Sequence, residues 1–74
     1  MATVSPVCCA ARIGEVAGDV WRILSEKGPL STTKLVKAVS EPRDTVMQAV
    51  GWLAREDKIT IEDDGRNRMV SLRE

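Results

Sequence analysis

The chain carries few of the side chains that catalyse reactions or bind metals. It has no histidine, and its only cysteines are the adjacent Cys8 and Cys9. A zinc site needs four such ligands, so one chain cannot complete it, although two chains together could offer four thiolates. Asp63 and Asp64 stand before Gly65, where a turn explains the carboxylates better than calcium binding does, because the ligand spacing of a calcium loop is absent. The sequence therefore predicts a protein that is not an enzyme and has no metal site and no cofactor.

Another set of side chains has the chemistry for contacting DNA. Arginine and lysine bind phosphates, arginine also pairs with guanine edges, and glutamine can pair with adenine edges. These side chains can act together only if the fold brings them to one side of the molecule. The candidates for DNA binding are Lys34, Lys37, Arg43, Gln48, Arg55, Arg66 and Arg68.

The total charge argues against these candidates. The chain has eleven basic and eleven acidic residues, whereas a DNA-binding domain usually has a basic excess. Arg43 and Arg55 are accompanied by Asp44 and Glu56, which leaves their segment without net charge. An ordinary solvated surface of mixed charge is therefore the alternative interpretation of these side chains.

Two stretches in the first half of the chain have the apolar spacing of amphipathic helices. The first begins at Ala11, repeats apolar residues at every third or fourth position, and ends at Gly28, which is followed by proline. A short extended segment follows. Ser31 or Thr32 can then cap a second helix, which continues to Val39.

A third helix is predicted over roughly residues 42–56, with Ser40 or Glu41 as its cap. Gly51 within it indicates a close neighbour, for which Trp52 is a candidate, because glycine costs about 1 kcal/mol relative to alanine inside a helix. The face of this helix opposite its apolar stripe contains Asp44, Gln48, Gly51 and Arg55.

After the third helix the apolar period changes from that of a helix to that of a strand. Asp64 and Gly65 predict a two-residue hairpin turn, because both residues tolerate positive φ. In the register that this turn sets, Ile59 faces Val70, Thr60 faces Met69, and Arg68 lies opposite Ile61 on the inner face.

This order of elements predicts an α+β fold, a winged helix-turn-helix with three helices, a three-stranded antiparallel sheet and a C-terminal β-hairpin wing. The predicted domain covers residues 11–74, and residues 1–10 form a loose or disordered lead. A chain of 74 residues is long enough for one small domain that buries about 60% of its unfolded surface.

Three strings carry a resemblance to a known family. "GWLAREDKI", with "AGDVWRIL" before it and "VSLRE" after it, resembles a family of small, single-domain bacterial and archaeal winged helix-turn-helix proteins without an assigned function. The resemblance covers roughly residues 12–74, and "GWLAREDKI" is its most specific part. It implies the fold and suggests DNA binding related to transcription, but it implies no catalytic residue, cofactor or ligand.

Two functions of different classes follow from this interpretation. One is a double-stranded DNA-binding transcription regulator with the third helix in the major groove and the wing on the backbone. The alternative is a protein-protein interaction module that uses the same scaffold without binding DNA. The balanced charge and the acidic turn favour the second function, and the helix-turn-helix favours the first.

The two tryptophans indicate a protein contact, and the hydropathy indicates where the protein is located. Trp21 and Trp52 flank the apolar stripes of their helices, which predicts a core or subunit contact rather than base stacking. A homodimer or another protein partner is therefore expected. The absence of a long apolar run and of a signal-peptide pattern predicts a cytoplasmic protein without a membrane span.

Overall fold

The computed structural model describes residues 9–73 and places six elements along them. The sheet order is β1-β3-β2, and both pairings are antiparallel. The predicted architecture of three helices and a three-stranded antiparallel sheet is therefore confirmed. The elements are α1 (Cys9–Lys27), β1 (Leu30–Ser31), α2 (Thr32–Val39), α3 (Arg43–Arg55), β2 (Ile59–Asp63) and β3 (Arg68–Leu72).

The first helix forms because its apolar residues share one face that the rest of the domain covers. It begins at Cys9 rather than at Ala11, and the other residues of the predicted lead, up to Cys8, lie outside the described part of the chain. Gly28 ends the helix in the left-handed conformation (φ +78°), and its N–H donates to the carbonyl of Leu24 at 2.9 Å. Glycine adopts this conformation without the steric cost that a Cβ would add.

The helix-turn-helix consists of α2, a short turn and α3. Of the two predicted caps of α2, the structure selects Ser31, whose hydroxyl accepts the N–H of Lys34 at 3.3 Å. The predicted caps of α3 were wrong. Its N-cap is Pro42, which offers no side-chain hydrogen bond, because Ser40 instead ends α2 in the left-handed conformation. Glu41 faces α1, where Arg12 donates a hydrogen bond to its carboxylate.

A closed pattern of backbone hydrogen bonds ends α3. The N–H of Asp57 donates to the carbonyl of Ala54, and the N–H of Lys58 donates to the carbonyl of Leu53. These two bonds form a Schellman motif, which turns the chain sharply into β2. Asp57 takes the left-handed position (φ +65°), and its carboxylate pairs with Arg73 at 2.8 Å.

The wing, defined as β2, β3 and the loop Asp64–Asn67 between them, differs from its predicted register. Ile61 pairs with Val70 and Asp63 pairs with Arg68, so the connection has four residues instead of two. The predicted pairs Ile59–Val70, Thr60–Met69 and Ile61–Arg68 were therefore wrong. Because the shift is an even number of positions, Ile59 and Val70 still face the core.

The reason for the longer loop is the carboxylate of Asp64. It accepts the backbone N–H groups of Arg66 at 3.1 Å and of Asn67 at 2.8 Å, while the N–H of Asp64 donates to the carbonyl of Asn67. Gly65 between them has a φ of +93°. Local side-chain bonds of this kind stabilise a turn that dipeptide preferences alone do not predict.

All six elements surround one apolar core. None of the described polar or charged side chains is buried in it. On α2, Leu35 and Val39 are buried and Val36 is half-buried, whereas Ala38 is exposed. The buried residues are Val16, Ala17, Val20, Ile23, Leu24, Leu35, Val39, Val46, Ala49, Val50, Leu53, Ile59 and Val70.

Candidate nucleic-acid interface

The exposed stripe of α3 presents a different kind of residue at each of its four positions. Asp44, Gln48, Gly51 and Arg55 are all exposed, as their helical spacing predicted. Gly51 has open space in front of it: apart from its chain neighbours and its own helix backbone, an added Cβ would meet no atom within 4 Å. The indole of Trp52 lies against Gly14 of α1. That Trp52 is the neighbour that accounts for Gly51 stays a prediction. The stripe offers an amide and a cation for hydrogen bonding, separated by a gap without a side chain.

The first turn of α3 contains groups that attract an anion and one group that repels it. Arg43 is exposed in the first turn, next to backbone N–H groups that no side chain caps. Such N–H groups and the helix dipole favour an anion at this end of a helix. Asp44 lies in the same turn and offsets part of this attraction. An anion at this end would therefore need the charge of Arg43 to outweigh that of Asp44.

A groove joins α2 to the wing. It has a volume of about 500 Å³ and is lined by Lys34 and Lys37 of α2 and by Asn67 of the loop. The structure thus places the candidates Lys34 and Lys37 in one groove with Asn67 of the wing loop. Asn67 was not among the candidates from the sequence, because a two-residue turn at Asp64 and Gly65 would put it in a strand. The signal that could have identified it is Asp64, because aspartate often accepts the N–H groups two and three residues later.

The ion pairs divide the basic side chains into two groups. Within residues 9–73, the paired cations on α1 and at the end of β3 are Arg12, Arg22 and Arg73. Arg68 on the wing also has a partner, because its Nε lies 3.7 Å from Asp63 Oδ2. The five other basic candidates take part in no ion pair of the described residues: Lys34, Lys37, Arg43, Arg55 and Arg66.

The wing loop carries negative charge at its tip. The hydrogen bonds from the N–H groups of Asn67 and Arg66 lower the pKa of the Asp64 carboxyl below its usual range. Asp64 is therefore ionised at neutral pH, and the loop loses this stabilisation as the pH falls from the ordinary pKa of an aspartate through the lowered pKa. Asp63 keeps its carboxylate beside Arg68 and also accepts the N–H of Gly65 at 2.9 Å. A phosphate that approached the tip would meet both carboxylates.

The two tryptophans lie on the surface and not in the core. Trp21 of α1 is 47% exposed, and Trp52 of α3 is 42% exposed. The sequence predicted either a core contact or a subunit contact for the tryptophans. Their exposure excludes the core contact, and the subunit contact stays a prediction.

Within the described helices, none is both long enough and apolar enough to cross a membrane.

These elements and their order define a winged helix-turn-helix domain, a fold typical of DNA-binding proteins. The model of the family described as "Winged helix-turn-helix domain (DUF2582)" matches residues 9–72, and the chain belongs to this family. The chain is also similar to the uncharacterized protein MJ1608 of Methanocaldococcus jannaschii, with 34% identity over 64 residues. The matched region covers 84% of this chain and 91% of that protein. The resemblance found in the sequence is thereby confirmed.

Proposed function

We propose that this protein binds double-stranded DNA and acts as a transcription regulator, with α3 in the major groove and the wing near the adjacent backbone. The observation that carries the proposal is the division of the basic side chains. The net charge of the chain is zero, yet five of the seven cations without an ion pair in the described residues lie on α2, on α3 and in the wing loop; the other two are Lys27 and Lys58. A local positive field can therefore act on phosphates although the whole molecule has no net attraction.

The chemistry of each candidate suits a different part of a duplex. Gln48 can pair with adenine, while Arg55 can hold a phosphate or a guanine edge. Lys34 and Lys37, which share their groove with Asn67, suit the phosphate backbone. The gap at Gly51 would let the helix axis approach the base edges closely.

The second candidate function is a protein-interaction module. The observation that favours it is the wing tip, where the carboxylates of Asp63 and Asp64 would repel a phosphate. A basic partner surface would be attracted to the same tip. The two functions therefore predict opposite effects when these carboxylates are removed.

Arg43→Ala tests the proposal most directly. If Arg43 contacts a phosphate, we expect weaker duplex binding and a slope of log affinity against log salt that falls by about one unit. If Arg43 instead pairs with guanine, the loss is about 1–3 kcal/mol at a single base position. The measurement is fluorescence anisotropy with pooled random duplexes over a series of salt concentrations.

Lys27→Ala is the matched control for this experiment. Lys27 is an exposed cation at the end of α1 and also has no ion pair within the described residues. Its removal should change neither the affinity nor the salt slope. Equal effects of the two substitutions, or no binding of the unchanged chain at low salt, would contradict the proposal.

Replacing both Asp63 and Asp64 with asparagine should strengthen duplex binding by about three-fold or more at low salt, because two carboxylates no longer repel the backbone. The amide oxygen of asparagine can still accept the N–H groups that the loop offers, so the turn is retained. Glu26→Gln, which removes an exposed carboxylate from α1, should have little effect. An unchanged or weaker affinity of the double variant, with an unchanged melting temperature, would favour the protein-interaction module.

A further inference from the structure

A groove between α1 and α3 lies outside the candidate nucleic-acid interface, since none of the candidate DNA-binding residues lines it. Its volume of about 410 Å³ is within the range of about 300–1,000 Å³ that is usual for small-molecule sites. A groove of this size can hold one small organic molecule. Its lining includes Gly14, Gly18, Trp21, Trp52, Glu56 and Lys58.

Each of the two helices exposes an indole ring at this groove. Trp21 belongs to α1 and Trp52 to α3, and both rings are nearly half exposed. The ring of Trp52 is held against α1, because a Cβ at Gly14 would lie 3.2 Å from its Cζ3 atom. Indole faces stack favourably on other planar aromatic rings. An aromatic ring is therefore the apolar group that suits this groove best.

The space in front of Gly18 is open. Apart from its chain neighbours and its own helix backbone, an added Cβ would meet no atom within 4 Å. Glycine costs about 1 kcal/mol relative to alanine inside a helix, and no contact with another described part of the chain requires it here. Gly18 lies one helical turn before Trp21 on the same face of α1. The missing side chain therefore leaves room for a ligand next to this indole.

One acid and one base complete the lining. Glu56 is the C-cap of α3, and Lys58 comes directly before β2. Both side chains are exposed, and within the described residues neither takes part in an ion pair. A carboxylate accepts hydrogen bonds from an ammonium group, and an ammonium group donates them to a carboxylate. A ligand with one charge of each sign would satisfy both residues, whereas a singly charged ligand would be repelled by one of them.

We propose that this groove binds a free aromatic amino acid. The ring of the ligand lies against the indoles of Trp21 and Trp52, its ammonium group binds Glu56, and its carboxylate binds Lys58. We expect a Kd of about 0.1–1 mM for L-phenylalanine, because the ligand is small and both charged residues are exposed.

The indole N–H signals of the full chain test this site by NMR titration, because Trp21 and Trp52 are its only tryptophans. L-phenylalanine should shift both signals until they saturate. Phenethylamine, which lacks the carboxylate, and phenylacetate, which lacks the ammonium group, should each bind about three-fold more weakly or worse. L-alanine, which lacks the ring, should give no saturable shift.

Substitution of each charged residue tests its assigned role. Lys58→Gln should bind L-phenylalanine and phenethylamine with equal affinity, because the carboxylate of the amino acid has lost its partner. Glu56→Gln should likewise remove the preference for L-phenylalanine over phenylacetate. The matched controls are Lys27→Gln and Glu26→Gln, which change exposed residues of α1 outside the groove and should keep both preferences. A general loss of structure would not exchange one preference for the other.

Three results would overturn the proposal. The first is the absence of a saturable shift with L-phenylalanine, and the second is equal binding of L-alanine. The third is a Lys58→Gln variant that keeps the ligand preference of Lys27→Gln. A groove covered by a second copy of the chain would be recognised by indole signals that change on dilution of the protein and do not respond to L-phenylalanine, which also contradicts the proposal. None of these measurements involves DNA, so this site and the proposed function can fail separately.

Discussion

Replacing Gly51 with glutamate should reduce duplex affinity by at least about 100-fold, which corresponds to about 2.7 kcal/mol. Gly51 lies on the exposed stripe of α3 between Gln48 and Arg55. The substitution fills the gap through which the helix would approach the bases, and it adds a carboxylate that phosphates repel. The new side chain also lies four residues before Arg55, where opposite charges attract each other on a helix, so it would partly neutralise that cation.

The same substitution should not damage the fold, which makes it informative. Open space in front of Gly51 and the better helix propensity of glutamate predict a gain in stability of about 0.5–1 kcal/mol. Gly51→Ala is the control, because it adds the propensity without the bulk or the charge and should bind duplexes within a few-fold of the unchanged chain. If the glutamate variant binds DNA as the unchanged chain does, α3 does not lie in the groove.

Leu35→Ala should lower the free energy of unfolding by about 3 kcal/mol, within the range of about 2–5 kcal/mol for buried leucines. Leu35 is 0% exposed, and it shares the inner face of α2 with Val39. A helix of eight residues is too short to be stable by itself, so α2 depends on this contact with the core. Because a domain of this size has a total stability of about 5 kcal/mol, the variant should be only marginally folded.

The measurement is urea denaturation followed by circular dichroism at the helix band. Thr33→Ala is the control on the same helix, because Thr33 is exposed and its truncation should change stability by less than about 0.5 kcal/mol. A loss below about 1 kcal/mol for Leu35→Ala would mean that α2 is not held by the core in the way that its burial indicates. Contacts other than the burial of Leu35 would then have to hold α2 in the helix-turn-helix.

The elements were predictable from the sequence because each has a strong periodic signal and a distinct end. Gly28 ends α1, and the change of apolar period after α3 marks the wing. The hairpin register was not predictable, because it depends on which N–H groups the Asp64 carboxylate accepts in three dimensions. The same limit applies to Glu41, which the sequence offered as a helix cap and which the fold places beside Arg12 instead.

The exposure of the candidate residues on α3 was predictable from the sequence, but the way in which the fold groups the candidates was not. The exposed stripe of α3 follows from helical geometry alone, and the sequence placed Gln48 and Arg55 on it correctly. That Lys34 and Lys37 share a groove with the wing depends on the pairing of β1 with β3, which brings distant segments together. Which cations are neutralised by acids likewise requires the tertiary structure, because Arg12 and Glu41 are far apart in the sequence.

The placement of the two tryptophans has a consequence for spectroscopy. The chain has no tyrosine and no phenylalanine, so Trp21 and Trp52 supply all of its aromatic absorption and emission. Both indoles are already close to half exposed in the folded state and both line the groove between α1 and α3. Unfolding should therefore shift the emission maximum only slightly to the red, while any molecule that covers the groove should shift it to the blue. The intrinsic fluorescence of this protein is thus a reporter of what occupies one surface rather than of whether the core is formed.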